Sequence, residues 1–412
     1  MARKEDIMIR RRKKVMPGEP PKRSTEEPIE HRTAADRRNG RRKKQRRRLL
    51  KRMLAFVLAV VVVFTLWINW DVLNPEYVWT WVKLQVTGGD TGDGFPHDIE
   101  GNTVVDMDTV GQQLCVLTDS YLLMFNSTAG ETVRRPCAFA KPALDTAGKY
   151  ALVSEIGGKR IRLETLSKTK LEVQTEAPIV AASVAENGSF AVVVESTSYQ
   201  SEVWVYNASG KQKYHWSSAS MLVMDVALDG NTMAVIGTNV ANGALQSELL
   251  VMNITSEGDP IRTTVPDTLL HEVHIFSDGR IAAVGDTSSL MYISEKKQET
   301  IRYQDRRLLG YAFSGKRLGL LLGSHGAKSG GILQSCNTSG EAVFTVPFSG
   351  AQRWMDADNS GGYLLLTSEG LSHITSTGRT NGKGLFADGM RVTTFNRQAV
   401  VLGLTKMEAI TY

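Results

Sequence analysis

Few stretches of this 412-residue chain carry residue types at spacings that could do chemistry, and each stops short of a working set. His271 and His274 stand in HEVH, which is not HExxH; in a strand the two rings would point to opposite faces, unsuited to sharing a metal. DADNSG, from Asp356, opens like a calcium loop, but position twelve is Thr367 in place of a bidentate Glu. Ser324 lies in GSHG without the GxSxG context of a nucleophile elbow. Cys115, Cys137 and Cys336 are too few, and odd in number, for a disulfide scaffold. Cys115 and Cys336 sit inside apolar runs, where a thiol acts as a small buried apolar group; a Cys115 to Cys137 bridge is the alternative. No catalytic residue, metal ligand or cofactor-binding residue is assigned, no cofactor is expected, and the chain is read as not an enzyme.

The elements that would position such groups show a clear repeat. FNSTAG, YNASGK, MNITSEG and CNTSG each follow a short apolar alternation and each contain an N-x-S/T glycosylation sequon. A modification site has no reason to recur at one point of a repeat, whereas a hairpin turn does. Asn tolerates the left-handed conformation and Gly enters it without strain. Asn126 with Gly130, Asn207 with Gly210, Asn253 with Gly258 and Asn337 with Gly340 are therefore read as structural turns, which a glycosylating host could also modify.

A second set of turns, DTAGK, AENGS, LDGN, SDGR and DNSGG, precedes apolar strands. Those strands mark the register: LCVL at Leu114, ALV at Ala151, AVVV at Ala191, MAVI at Met233, IAAV at Ile281, LGLLL at Leu318, YLLL at Tyr363 and AVVL at Ala399. Their spacing of roughly 36 to 48 residues is that of four-stranded propeller blades. The fold expected is all-β, a propeller of about eight blades with seven as the alternative, over residues 94–412. AVVLGL and EAITY supply only the last unit's second and third strands, so GFPHDIEG, Gly94 to Gly101, is read as the closing outer strand, where Pro96 is tolerable.

Residues 53–70 begin MLAFVLAVVVVFTLWI without a charge and reach the roughly 18 residues that span a bilayer core. Trp67, Trp70, Tyr77, Trp79 and Trp81 form an interfacial aromatic belt, and no small-residue cleavage pattern follows, which points to an uncleaved signal anchor. Residues 1–52 hold 21 Lys and Arg against 7 acids, and removing their +14 from the chain's +6 leaves −8 for the rest. That asymmetry keeps the N-terminus in the cytoplasm and sends the C-terminal domain out of it, single-pass in the cell membrane. The tail has no aromatic residue to stack on bases, so nucleic acid is an unlikely partner; it reads as a disordered tail drawn to anionic lipid headgroups. Residues 71–93 read as an interfacial helix from Asn74 and Pro75, then an acidic, Gly-rich spacer too poor in ligands for calcium.

The order of basic tail, single anchor, NPEYVWTW, GFPHDIEG and AKPALDTAGKYALVSEIGGK resembles an uncharacterised family of single-pass, propeller-like envelope proteins of Gram-positive bacteria. Its blade pattern is similar to quinoprotein-like propellers, although NASGKQKYHW only loosely matches their TGxxxW signature. WD-type repeats fit less well, since the Trp-Asp pair, Trp70-Asp71, lies beside the anchor. The resemblance implies no reaction. The function expected is a non-enzymatic binding or scaffolding module at the cell envelope, with an envelope protein or glycan as partner; the alternative is an envelope enzyme acting on glycan or peptide at the channel mouth.

Overall fold

Strands form here because apolar stretches too short for helices can each bury one or both faces against a neighbouring sheet. The computed structural model describes residues 92–99, 103–241, 243–256, 258–358 and 360–412. Their strands assemble into eight four-stranded antiparallel sheets. Each sheet is a blade, numbered 1 to 8, with strands A (innermost) to D (outermost). The A strands are Val104–Val110, Pro142–Ala147, Ile179–Val184, Leu222–Asp229, Leu270–Ile275, Arg306–Ser314, Gln352–Ala357 and Arg391–Phe395. Those of blades 8 and 1 lie side by side, so the ring is closed and the seven-blade alternative is excluded.

All eight register-marking runs are B strands. In blade 1 every residue of Gln113–Thr118 is buried, because a B strand is covered on both faces by the adjoining blades and needs no polar alternation. The core is correspondingly divided into eight apolar clusters, one at each junction between blades. The cluster joining blade 8 to blade 1 packs Phe395, Val400, Leu402 and Met407 against Leu114, Val116, Leu123 and Phe125. Burying one such side chain contributes about 1.5–3 kcal/mol, so the seam is an ordinary junction despite joining the two ends of the domain.

Blade 8 takes three strands from the C-terminal end and its outermost from His97–Asp98, which pairs antiparallel with Lys406–Thr411. Upstream of that strand, the Gly94 N–H donates to the Thr128 carbonyl at 3.1 Å. Gly92 lies so close to the same turn that a Cβ there would stand 2.4 Å from Gly130 N. The described end of the stretch read as a spacer is thus packed on blade 1. The remainder of residues 1–91, including the anchor and aromatic-belt readings, lies outside the described residues, and among those described no helix is long and apolar enough to cross a membrane.

An antiparallel meander puts its A–B and C–D turns at one end and its B–C and D–A connections at the other. The ring therefore has a turn face and a loop face, and residues 92–94 meet it on the turn face, at the C–D turn of blade 1.

Candidate binding site

The A strands bring acids from five blades to the centre of the ring. Asp106 and Asp108 come from blade 1, Asp145 from blade 2, Asp225 from blade 4, Glu272 from blade 5 and Asp356 from blade 7. Most of these groups reach toward the following blade. Asp145 accepts the Val184 N–H at 2.6 Å, Asp225 the Val273 N–H at 2.9 Å and Asp356 the Thr394 N–H at 3.3 Å. Asp108 accepts the Thr146 hydroxyl at 2.6 Å, and Glu272 the Tyr311 hydroxyl at 3.0 Å. The result is a belt of carboxyl latches, each tying one blade's A strand to the next.

Water reaches this channel: Asp108 is exposed and Asp145, Asp225, Glu272 and Asp356 are half-buried. The protein around them nevertheless disfavours their charged forms. Burial pushes the Asp145 carboxyl up to about 7, against the opposing bonds from Val184 and Ser183, with the Asp108 and Glu272 charges adding to the rise. Asp356 is raised to about 6, again first by burial and then by the Asp108 charge. Burial and the Glu272 charge carry Asp225 well above the ordinary carboxylate range, and burial raises Glu272, Asp106 and Asp108. Cations do little to offset this. Arg391 pairs with Asp106 at 2.8 Å and stacks on Trp354 at 4.1 Å, while Arg353 is committed to the carbonyls of Phe386, Ala387 and Gly389.

β-bulges shape the same strands. In blades 1, 3, 4, 5, 6 and 7 the A–B register slips, at Val105, Val180, Met224, His271, Leu309 and Arg353. A bulge places two successive side chains on one face. This corrects the expected separation of His271 and His274. The bulge at His271 resets the alternation, and both rings meet blade 6, His271 at Tyr311 (5.7 Å) and His274 stacked on Phe313 (4.2 Å). Both are packed on aromatic rings, and burial lowers His274 to about 4, which keeps it neutral. Among the described residues no group of three His, Cys, Asp or Glu side chains is arranged to hold a metal.

The loop face differs in kind from the turn face. Of the large apolar side chains exposed among the described residues, Tyr199, Leu222, Val240, Leu245, Leu269, Leu385, Met390 and Leu404 lie on B–C or D–A connections or at their borders, and Val343 lies on an outer strand. Val240 pairs with Leu245 on a hairpin of blade 4 that runs beyond its neighbours, since strand A stops pairing at Thr238 and strand D at Ser247. The two side chains are 72 % and 62 % exposed.

The model of a family of unknown function, DUF5711, matches residues 97–410. The chain belongs to the DUF5711 family. The match begins at His97, the first residue of the closing strand, and ends within the last strand, so it reaches all eight blades of this DUF5711 propeller. No curated protein matches the sequence. Among solved structures, apo AztD from Citrobacter koseri is similar at 11 % identity over 67 % of this chain and 84 % of that one, with a TM-score of 0.49. A eukaryotic initiation factor is similar at 12 % identity over 78 % and 89 % (TM-score 0.48), and the Neurospora crassa Pan2 WD40 domain at 9 % over 76 % and 90 % (0.42). The propeller assignment stands on sheet topology and not on these likenesses.

The turn residues of the DUF5711 chain fall on C–D turns of blades 1, 3, 4 and 6. Asn207 Oδ1 accepts the Ser209 N–H (3.0 Å), the Ser209 hydroxyl (2.7 Å) and the Lys211 N–H (2.9 Å). Asn126 Oδ1 accepts from Thr128 and Gly130, Asn253 Oδ1 from Thr255, and Asn337 Oδ1 from Ser339 and Glu341. The hydroxyl two residues after Asn bonds it in the first three, which accounts for a sequon-like spacing without any glycan. The left-handed residue is the one three after Asn: Gly210 (φ +81), Gly340 (φ +84) and, in FNSTAG, Ala129 (φ +58) instead of Gly130. Gly258 is likewise not left-handed and sits in open space, so its choice is not dictated by backbone strain.

Asp358, two residues beyond the channel acid Asp356, caps its own turn by accepting the Ser360 and Gly362 N–H groups and bonds His373 at 2.8 Å. This leaves DADNSG an ordinary turn. The three cysteines are free and buried, Cys115 and Cys137 in the cluster between blades 1 and 2. The channel acids belong to no motif, and what marks them in the sequence is position: LDTAG, MDVALDG and MDADNSG each place an acid a few residues before a turn glycine.

Proposed function

We propose that the chain is a membrane-anchored, extracytoplasmic propeller that works as a non-enzymatic binding module, docking another envelope protein on its loop face. The observation that carries this reading is the gathering of eight of the exposed large apolar side chains at one end of the ring. Single exposed apolar residues are ordinary, but a set confined to one face marks an interaction surface. The segments 196–201, 217–222 and 238–247, which carry Tyr199, Leu222, Val240 and Leu245, contain no charged residue in a domain whose net charge is negative. Depletion of charge suits the core of a protein interface. All but one of the eight side chains are aliphatic or thioether, which favours a protein over a glycan, since sugars are held by aromatic and polar groups.

Membrane anchoring rests on the uncharged run 53–70 and the +14 tail that precedes it. Residues 92–94 meet the ring on the turn face, so that end of the connection leaves the loop face clear. The alternative of an envelope enzyme would draw on the channel carboxyls, whose bonds to the next blade fit a structural part better.

The test places a photoreactive amino acid at Leu245 or Leu404 in the full-length chain, in native membranes, with Glu186 on the turn face as the comparison site. The reading expects one discrete protein adduct from the loop-face positions and none from Glu186. It expects the double substitution Val240→Asn, Leu245→Asn to abolish that partner at an unchanged thermal midpoint. An adduct pattern indifferent to face, or a partner retained by the double variant, would overturn it.

A further inference from the structure

We infer that the partner is held through an extended segment, apolar and positively charged, seated on a ledge between blades 4 and 5 of the loop face. This rests on the loop-face reading above and adds the chemistry of what docks there. The ledge is built on the hairpin of blade 4. Its two strands pair without a bulge from Thr232 and Asn253 to Ala241 and Ala244, so alternation fixes the side each residue takes. Ile236 and Leu249 face blade 5, in one cluster with Leu270 and Ile281, and Thr238, Val240, Leu245 and Ser247 share that side. Ser247 marks the level of blade 5's rim: its hydroxyl donates to the Thr268 carbonyl at 2.9 Å and accepts the Leu270 N–H at 3.1 Å. Two residues further along, Leu245 and its cross-strand partner Val240 stand about 7 Å above that backbone.

Blade 5 does not rise to meet them. Its B–C turn is Asp286 and Thr287 alone, between strands that end at Gly285 and begin at Ser288. Val240 and Leu245 therefore stay exposed over a rim whose own apolar residue, Leu269, is 38 % exposed. Strand D of blade 4 stops at Val265, opposite Ser247, so among the described residues no strand lies beside the Ala244–Gln246 edge. Free backbone groups along such an edge take an incoming strand, which calls for an extended occupant. Charge decides the rest. Asp267 and Asp286 are exposed at the foot of the ledge. Asp286 accepts the Leu269 N–H at 2.8 Å, and the Thr287 hydroxyl donates to the Asp267 carbonyl at 2.7 Å, which fixes both acids beside Leu269. Among the described residues neither carboxylate forms an ion pair, and Arg302, opposite Ser288 on the blade 5 ladder, pairs with neither. On the hairpin's other side, toward blade 3, the acid Glu248 has its cation in Arg262. An apolar ledge with unpaired acids at its foot is complementary to a segment that carries apolar side chains beside a lysine or arginine.

The experiment uses the full-length chain in native membranes, with a photoreactive amino acid at Leu245 or Leu269 on the ledge, or at Leu404 on blade 8. Both ledge positions are expected to capture one stretch of one protein, at sites within about six residues of each other, with Lys or Arg beside apolar residues. Asp267→Asn with Asp286→Asn keeps the accepting oxygens and removes both charges. Adduct yield from Leu245 is expected to fall about fivefold or more in that variant, at an unchanged thermal midpoint. Raising salt from about 0.05 to about 0.5 M is expected to lower the wild-type yield and leave the variant's nearly unchanged. Should the double variant fold poorly, Asp267→Asn alone serves, expecting about a twofold fall, since that carboxylate bonds nothing among the described residues. A partner captured from Leu404 but from neither ledge position, or a yield indifferent to charge and salt, would overturn the ledge and leave the loop-face reading standing. Capture at the ledge of a second copy of this chain, a lipid, a glycan or an acidic stretch would overturn it too. No adduct from any of the three positions would remove both.

Discussion

His97 pairs with Met407 in the two-residue ladder that joins the N-terminal end of the ring to its last blade. Ile99 extends the seam by donating its N–H to the Thr405 carbonyl at 2.7 Å and packing with Phe395 and Met407. So short a strand contributes few hydrogen bonds of its own, and its weight comes from closing the junction. Deleting Gly94 to Gly101, or Glu408 to Tyr412, is expected to lower the thermal midpoint cooperatively, read by circular dichroism. A midpoint unchanged by the first deletion would show that the ring does not depend on this strand.

Gly210 tests the turn reading of YNASGK. Its φ of +81 strains any side chain, and a Cβ would approach Leu171 Cδ1 at 2.9 Å. Gly210→Val is expected to cost about 1 kcal/mol or more in chemical denaturation, whereas Ser209→Ala removes one exposed bond and is expected to cost less than about 0.5 kcal/mol. A glycan-sized mass loss in Ser209→Ala from native membranes would show that the sequon is also used.

Glu164 is fully buried between Arg135, at 2.8 Å, and Arg162, and its Oε1 also accepts the Thr169 hydroxyl. Removing the acid strands two cations that are themselves mostly buried. Glu164→Ala is expected to destabilise the domain by about 3–5 kcal/mol, measured by denaturant titration. A loss below about 1 kcal/mol would mean that water enters the junction and solvates both guanidinium groups.

His274 governs the acid limb. Its folded value of about 4 lies below the unfolded value near 6.5, so the unfolded chain binds the extra proton between them and stability falls as pH drops through that interval. His274→Phe keeps the stack on Phe313 and removes the proton site. The variant is expected to lose less stability than wild type between about pH 6.5 and 4.5 in parallel melts.

Topology is tested in protoplasts. The tail charge predicts that added protease digests the propeller or its connection while sparing an epitope within residues 1–52. Full protection of the C-terminal domain would reverse the orientation.

The architecture was legible in the sequence because a propeller is a repeat of local events. Hairpin glycines and apolar B strands recur at every blade, and each follows from contacts a few residues away: LDGN must turn, and MAVI must be buried on both faces. Even the closing strand could be inferred, since GFPHDIEG has the length of an outer strand and places Pro96 where an edge tolerates it. What depended on tertiary structure was everything set by the space between blades. Asp145 and Asp225 are 80 residues apart in sequence, yet the Asp145 charge reaches Asp225 because the ring turns their strands toward one channel. Bulges at His271 and five other positions shifted the strand alternation, and no local residue preference announces them. The loop face became apparent only when Tyr199 and Leu245, unremarkable in their own segments, were brought to the same end of the ring. Short-range backbone and burial preferences are written residue by residue, whereas the fields and surfaces that act on a partner or a proton arise from side chains that only closure brings together.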